Sequence, residues 1–313
     1  MSENLFKLWT TQFSTNLELK LQQMGSKLRG KVREGFHVGK QASPINQVGA
    51  ISLKAPAGRF TPKNRTDADF TRRWVFPIDG EIDQLIDSFD ELKTIVDPKS
   101  MYTENAANAV GRGWDDSLIA AAFGTSQVGQ DASGLTPENF SLTTYTTSAG
   151  GFTVQDTFGA SASAGLTVAK MIEAKRVFRH YHVDIEMDPL TLVIGSQQES
   201  DLLNQVQVVS TEFNDKPVLV DGRVVRFLGF DIVVSERLST NTGSTLRNCI
   251  AFAKSGMYLG IWKDTINRVS IRNDLSGEPY DLYTQASFGS TRTQPGKVLA
   301  ILAADTTGAD ITP

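Results

Sequence analysis

The sequence predicts an α+β fold, and three observations lead there. Stretches with strand period and stretches with helix period are mixed along the 313 residues without the strict β-α alternation of a doubly wound sheet. One segment, residues 98–123, carries the signals of a single long helix. A further segment, residues 39–80, is too long and polar for a connection, yet its two flanks alternate like strands. Compact domains rarely carry more than about 12–15 residues of connection without structure of its own.

Taken in order, Phe13, Leu17, Leu21, Met24, Leu28 and Val32 recur at helical spacing, with Lys20, Lys27, Arg29, Lys31 and Arg33 on the other side. This predicts an amphipathic helix that Gly35 ends. In residues 39–80, Val48, Ile51 and Leu53 sit among small residues on the near side. On the far side Phe70, Arg72, Trp74, Phe76 and Ile78 share one face, and Thr71, Arg73, Val75 and Pro77 the other. Between them Pro56, Gly58, Pro62, Asn64 and Asp67 are turn residues. The pattern describes a two-stranded arm. A lone hairpin is marginal in water, so the arm needs a surface to lie on, and a second copy of the chain is the natural one.

Ile82, Leu85, Ile86 and Phe89 predict a short helix after the arm. Asp97-Pro98 then supplies an N-cap acceptor and a proline at N1 for the long helix, which Gly124 ends. Tyr102, Ala106, Ala109, Gly113, Trp114 and Leu118 fall on or near one side of it. Residues 142–145 and 152–154 alternate and predict a hairpin. A helix over 166–181 turns Val168, Met171, Ile172 and Phe178 inward. From Pro189 short strands dominate. LTLVIG reads as a buried strand, and SQQESDLLNQ as a helix with Ser196 as N-cap and Glu199 as its capping-box partner. KPVLVDGRVVRFLGFDIVVS predicts a hairpin with Asp221-Gly222 in a tight primed turn. Residues 249–262, 266–272 and two stretches within 280–304 read as strands, and a polar tail follows.

Composition excludes several classes. The net charge of −4 argues against wholesale nucleic-acid binding. Cys249 alone cannot build a disulfide framework, and its apolar run CIAFA marks it as a buried, inert thiol. No run approaches the roughly 20 apolar residues of a membrane span, and the first residues do not read as a signal peptide. The charge is unevenly placed. Residues 1–75 hold 13 Lys and Arg against 5 Asp and Glu, net +8, which leaves 18 and 30, net −12, in the rest. A basic arm on an acidic body suits association with an acidic surface, whether nucleic acid or another copy of the chain.

Catalytic motifs are missing from the sequence. It has no GxxxxGK[ST] or GxGxxG, and Gly111-Arg112-Gly113 falls inside a helix, where it cannot cradle a phosphate. No serine lies in a GxSxG elbow. His180 and His182 make at most half a metal site, with no second ligand pair in sight, and flanking a helix end is the stronger reading. Asp115 and Asp116 are adjacent on a helix and face different directions. No cofactor is expected.

The order of these parts resembles the tailed-phage major capsid proteins of the Hong Kong 97-type fold, and is most similar to those of short-tailed podoviruses. The resemblance covers essentially the whole chain. It rests on the N-terminal arm, on the extended loop with its return strand ending in Ile78-Asp79-Gly80, and on Pro98-Lys99-Ser100-Met101-Tyr102-Thr103 leading into Ala106, Arg112 and Asp116. Val220-Asp221-Gly222 with Leu228-Gly229-Phe230-Asp231-Ile232-Val233, and Thr291-Arg292 before the last strand, complete it. The resemblance implies an N-arm over 1–38 and an extended loop over 39–80. It implies a peripheral domain with a long spine helix over 81–187, returning over 261–313, and an axial domain over 188–260.

The function so implied is a self-assembling, non-enzymatic subunit of an icosahedral virion shell that encloses double-stranded DNA. Its partners would be other copies of itself in hexamers and pentamers, a portal protein at one vertex and a decoration or cement protein. Because the chain starts directly with the arm, a separate scaffolding protein is expected. Assembly would take place in the host bacterial cytoplasm. The expected inter-subunit contacts are Lys54, Arg59, Lys63, Arg65, Phe70, Arg72, Arg73 and Trp74. Some members of the family cross-link their loops through Lys and Asn, but the adjacency of Lys63 and Asn64 is no sign of that chemistry. An encapsulin-like compartment shares the fold and stands as a second reading. From another class, the basic arm suits a nucleic-acid-binding protein, and a hydrolase without a recognisable motif is a distant third.

Overall fold

The computed structural model describes residues 21–55, 58–59, 62, 65–86, 99–129, 134–144, 151–205, 219–220, 223–240 and 245–305. Residues 1–20, with the part of the expected N-terminal helix that falls in them, Phe89, Pro98, Tyr145, the Asp221-Gly222 turn, the Lys63-Asn64 pair and the tail lie outside them.

The chain divides into two units. The first holds Met1–Gly25, Asp79–Arg112 and Lys263–Ala286; the second holds Ser26–Ile78, Gly113–Trp262 and Ser287–Pro313.

The first unit holds β4 (Ile78–Ile86) from Asp79 on, the part of β14 (Met257–Ile271) from Lys263 on and the part of β15 (Tyr280–Arg292) up to Ala286, and β15 has β4 and β14 as its neighbours. A helix was expected over 82–89, and the described part, through Ile86, is strand. Ile82, Gln84 and Ile86 are the less exposed positions, and that period of two matches a ladder partner in β15, which a helix would forfeit. Helix α1 (Lys99–Phe123) confirms the long helix and ends as expected, Gly124 N–H donating to the Ala120 carbonyl (2.8 Å). Arg112 on α1 donates to Gln22 Oε1 (2.7 Å) and to the Gln23 carbonyl (3.1 Å), and Asn108 Oδ1 accepts from the Gly25 N–H (2.9 Å).

The second unit is built on a six-stranded sheet of order β11-β12-β8-β13-β16-β7. Its strands are β7 (Thr153–Val154), β8 (Leu190–Ile194), β11 (Arg226–Phe227), β12 (Phe230–Val234), β13 (Leu246–Ala253) and β16 (Val298–Ala304). β8 and β16 are buried along their whole length, which is why both read as unbroken apolar runs and not as alternating ones. α2 (Val168–His180), capped by Thr167, and α3 (Ser196–Leu203) also lie in this unit. Met171, Phe178, Leu190, Leu192, Ile194, Phe230, Leu299 and Ile301 belong to one apolar core. Each fully buried side chain of this size contributes roughly 1.5–3 kcal/mol.

Four local expectations change in this unit. Residues 26–32 form bends and a 3-10 turn (Arg29–Lys31), followed by strand β1 (Arg33–Phe36), where a helix was expected. Asp115 accounts for it. Its carboxylate accepts from Ser26 Oγ (2.5 Å), Lys27 N–H (3.0 Å) and Leu28 N–H (3.2 Å), so the irregular backbone keeps its donors satisfied. Leu28 and Val32 then line a narrow apolar cavity with Leu118, Val193 and Phe252. Thr144 and Thr153 form an isolated parallel bridge, where a hairpin would pair its strands antiparallel. Ile172 is exposed, because the buried face of α2 runs through Met171, Ala174, Val177 and Phe178. The cap of α3 lies one residue earlier than expected, at Gly195, whose N–H donates to Gln198 Oε1 (3.2 Å).

Hairpin geometry holds. β9 (Leu219–Val220) pairs antiparallel with β10 (Arg223–Val224). A second tight turn joins β11 to β12 through Leu228 (φ 51°) and Gly229 (φ 89°). Positive φ at both central residues is what a primed turn demands. The remaining sheet, β2-β3-β5-β6, carries the arm.

Candidate assembly surface

β2 (Ala42–Val48) and β3 (Phe70–Val75) pair antiparallel in register from Ile45↔Arg73 to Val48↔Phe70. Gly49 N–H donates to the Asp69 carbonyl (2.7 Å) and closes the ladder where the tip begins. The tip positions Ile51, Leu53, Lys54, Arg59 and Arg65 are exposed.

The root of this arm is fixed within the chain. β3 also pairs with β5 (Ser126–Val128), which pairs with β6 (Thr136–Glu138). Arg73, only 5% exposed, points into this root, where it donates to Ser126 Oγ (3.2 Å) and makes an ion pair with Glu138. Beneath it lies the fully buried Arg292. Its Nη1 donates to the carbonyls of Ala122 and Gly124 (3.0 Å each), its Nη2 to the Glu138 carbonyl (3.2 Å), and its guanidinium sits 5.0 Å from the Phe140 ring centre. Burial lowers the Arg292 pKa to about 10. Trp74 Nε1 donates to the Gly129 carbonyl (3.0 Å), and Gln47 Nε2 to the Thr293 carbonyl (2.9 Å). Close approach has its own requirement. A Cβ on Gly289 would stand 2.1 Å from the Phe76 carbonyl oxygen, so only glycine fits there.

The period-two reading of β3 holds, and the burial pattern sorts its two faces. Arg73 and Val75 turn inward, whereas Phe70 (58% exposed), Arg72 and Phe76 face outward. With Val48, Ile51 and Leu53, also exposed, they give the arm apolar surface of the kind that marks interaction sites when contiguous.

Of the eight expected contact residues, Lys54, Arg59, Arg65, Phe70 and Arg72 are exposed on the arm, Trp74 is half-buried, and Lys63 lies outside the described residues. Arg73 is committed inside the chain. The sequence reading missed Glu138 and took Arg292 only as part of the resemblance, without a role; both roles depend on segments more than fifty residues apart meeting.

Chemistry is sparse elsewhere. Among the described residues no group of three or more His, Cys, Asp or Glu could hold a metal ion. Among the described residues no helix is long and apolar enough to cross a membrane. Cys249 is buried, and burial pushes its thiol up to about 12. Lys170 is buried in α2 and donates to the carbonyls of Ala164 (2.7 Å), Gly165 (2.7 Å) and Leu302 (3.2 Å); burial lowers its pKa to about 8. It ties the start of α2 to β16.

Solved phage capsids share the fold. The capsid of cyanophage P-SCSP1u matches with a TM-score of 0.72 at 16% identity, covering 98% of this chain and 97% of that one. The capsid of cyanophage Pam1 matches at 0.69, 12% identity and 96% and 97% coverage. That of Ralstonia phage GP4 matches at 0.67, 9% identity and 96% of each chain. The fold is therefore the Hong Kong 97-type capsid fold. No curated protein sequence matches the chain. The sequence model of the phage capsid protein family matches residues 7–305, and the chain belongs to that family: it is a major capsid protein, a self-assembling structural subunit of the virion shell.

Proposed function

We propose that this capsid protein assembles by laying its extended loop, residues 39–80, over a neighbouring copy in hexamers and pentamers of a shell that packages double-stranded DNA. The observation that carries the reading is the arm itself. Its root is held by Arg73, Glu138 and Arg292, while its outer face leaves Phe70, Leu53 and Ile51 open to solvent. Burying such surface on a neighbour is worth roughly 25 cal/mol per Å², and repetition around a closed shell multiplies a weak contact.

Within this reading the subunit has no catalytic role. Residues 1–38 form the N-arm, 81–187 and 261–313 the peripheral domain, and 188–260 the axial domain. Assembly takes place in the host bacterial cytoplasm with a separate scaffolding protein, a portal protein occupies one vertex, and a decoration or cement protein binds outside. Lys54, Arg59, Arg65 and Arg72, with Phe70 and Trp74, make the inter-subunit contact.

Lys54→Glu combined with Arg65→Glu tests the contact. Both side chains are exposed, so the variant subunit keeps its wild-type melting temperature, and sedimentation shows it failing to form shells. Normal shells from the double variant would remove the arm's charge from the mechanism.

A further inference from the structure

We propose that His37 is a proton-operated clasp on the near leg of the extended loop: its neutral ring holds that leg to β14, and uptake of a proton lets it go. This rests on the arm-over-neighbour reading above for what the loop then does, and names a control on that same arm.

All the parts lie in the second unit. β1 runs parallel to the first residues of β14, with Arg33 opposite Tyr258 and Phe36 opposite Ile261, and the His37 N–H carries the ladder on to the Ile261 carbonyl (2.9 Å). Two residues later the chain enters the loop. Side chains finish what the ladder begins. His37 Nε2 and Tyr258 Oη stand 2.6 Å apart, the His37 and Trp262 ring centres are 5.4 Å apart, and Trp262 Nε1 donates to the Gly39 carbonyl (2.6 Å). Gly35 makes the room: a Cβ there would stand 1.9 Å from Tyr258 Oη. The near leg is thus held by one imidazole and two aromatic partners. The far leg, β3, is held by Arg73 with Ser126 and Glu138 and contains no histidine.

Tyr258 is 6% exposed, and among the described residues its hydroxyl bonds His37 alone. A buried hydroxyl hydrogen needs an acceptor, so Nε2 is the unprotonated nitrogen of the neutral ring. Once both ring nitrogens carry protons, both are donors, and the Tyr258 hydrogen is left buried without an acceptor. The half-buried ring also loses hydration as it becomes charged. The charged groups around it do not offset this. Arg33, on the same face of β1, and Lys40, just beyond the clasp, are cations. Glu34 turns to the other face and pairs with Arg29 (3.2 Å). β14 faces the ring with Tyr258 and Trp262, and its next acid, Asp264, is exposed and accepts from the Thr265 N–H (2.8 Å). Burial accordingly lowers the His37 pKa from its ordinary 6.5. With a lowered folded value, the closed clasp holds fewer protons than the open one. Its stability is complete above 6.5 and is lost as pH falls from there through the folded value. Acid then slackens the near leg, while Arg73 keeps hold of the far one.

Hydrogen exchange of the full-length, unassembled subunit at neutral pH and at about pH 5 tests the clasp. After correction for the intrinsic rate, protection of the His37 amide falls below pH 6.5 by up to about tenfold per pH unit, while that of β3 holds. In His37→Gln the side chain can still bond Tyr258 but takes up no proton, so the amide at position 37 is equally protected at both pH values. Wild-type protection that does not change with pH, or the same pH dependence in His37→Gln, overturns the proposal. A second measurement needs no variant. Of the three histidine rings, the one in nuclear Overhauser contact with Tyr258 titrates below 6.5 and loses that contact as it does so. A ring that titrates at or above 6.5, or keeps the contact once protonated, overturns the clasp as well. Both measurements use the free subunit. Shells whose loop folds back on its own subunit would defeat the arm-over-neighbour reading instead, and leave the clasp to be judged by its own titration.

Discussion

Arg73 sits on the face of β3 turned into the chain, where Ser126 and Glu138 take its guanidinium, while Arg72 at the next position faces solvent. The two adjacent arginines therefore do different work. Arg73→Glu leaves two carboxylates at the arm root and a buried Arg292 without its neighbouring ion pair. The expected loss of stability is about 2–3 kcal/mol in thermal or urea denaturation. That lies below the 3–5 of a fully enclosed pair because the Glu138 side chain is about a third exposed. Lys170 gives a pH-dependent counterpart. Its folded pKa is about 8, against 10.5 for a free lysine, so between those values the unfolded chain holds a proton that the folded one has released. Stability from this group accordingly rises with pH across that window, by at most about 1.4 kcal/mol per pH unit. The difference in unfolding free energy between wild type and Lys170→Met should grow in favour of wild type from pH 8 to pH 10. A flat difference would mean that the ammonium is not desolvated.

At the scale of elements, the segment 26–32 shows how one carboxylate redirects a chain. Asp115 takes three donors from residues 26–28, and the helix-spaced Leu28 and Val32 drop into an apolar cavity from an irregular backbone. Asp115→Ala should cost about 1–3 kcal/mol and speed hydrogen exchange at Lys27 and Leu28 ahead of the core strands. Equal protection in the variant would shift the credit to Leu28 packing. The same segment marks where sequence reading stops. Long, capped or fully apolar elements were legible: α1 with Gly124 at its end, the buried strand β8, and the arm strands with their period of two. Elements set by a distant partner were not. Residues 82–86 have spacing that suits a helix as well as a strand, and only β15 selects the strand. Residues 26–32 carry a helical stripe, and only Asp115, nearly ninety positions away, breaks it. The arm's basic side chains were legible as candidates, but their spacing could not separate Arg72 from Arg73. That distinction comes from Glu138, on a strand the sequence did not reveal.

At the scale of the whole molecule, one buried polar cluster holds the root of the arm, and the arm's outer face stays open. Arg73, Glu138, Ser126 and Arg292 rigidify the root, and Phe70, Leu53 and Ile51 remain uncovered in the single chain. That distribution suits a subunit whose stability is completed by its neighbours. Membership of the phage capsid family agrees with a subunit that works among copies of itself. The direct measurement is electron microscopy of the purified wild-type protein, alone and with crowding agent or scaffolding protein, reconstructed far enough to trace residues 39–80. The account predicts closed icosahedral shells in which this loop crosses onto an adjacent subunit and covers Phe70 and Leu53. Closed shells in which the loop folds back on its own subunit, with those two side chains still facing solvent, would contradict it.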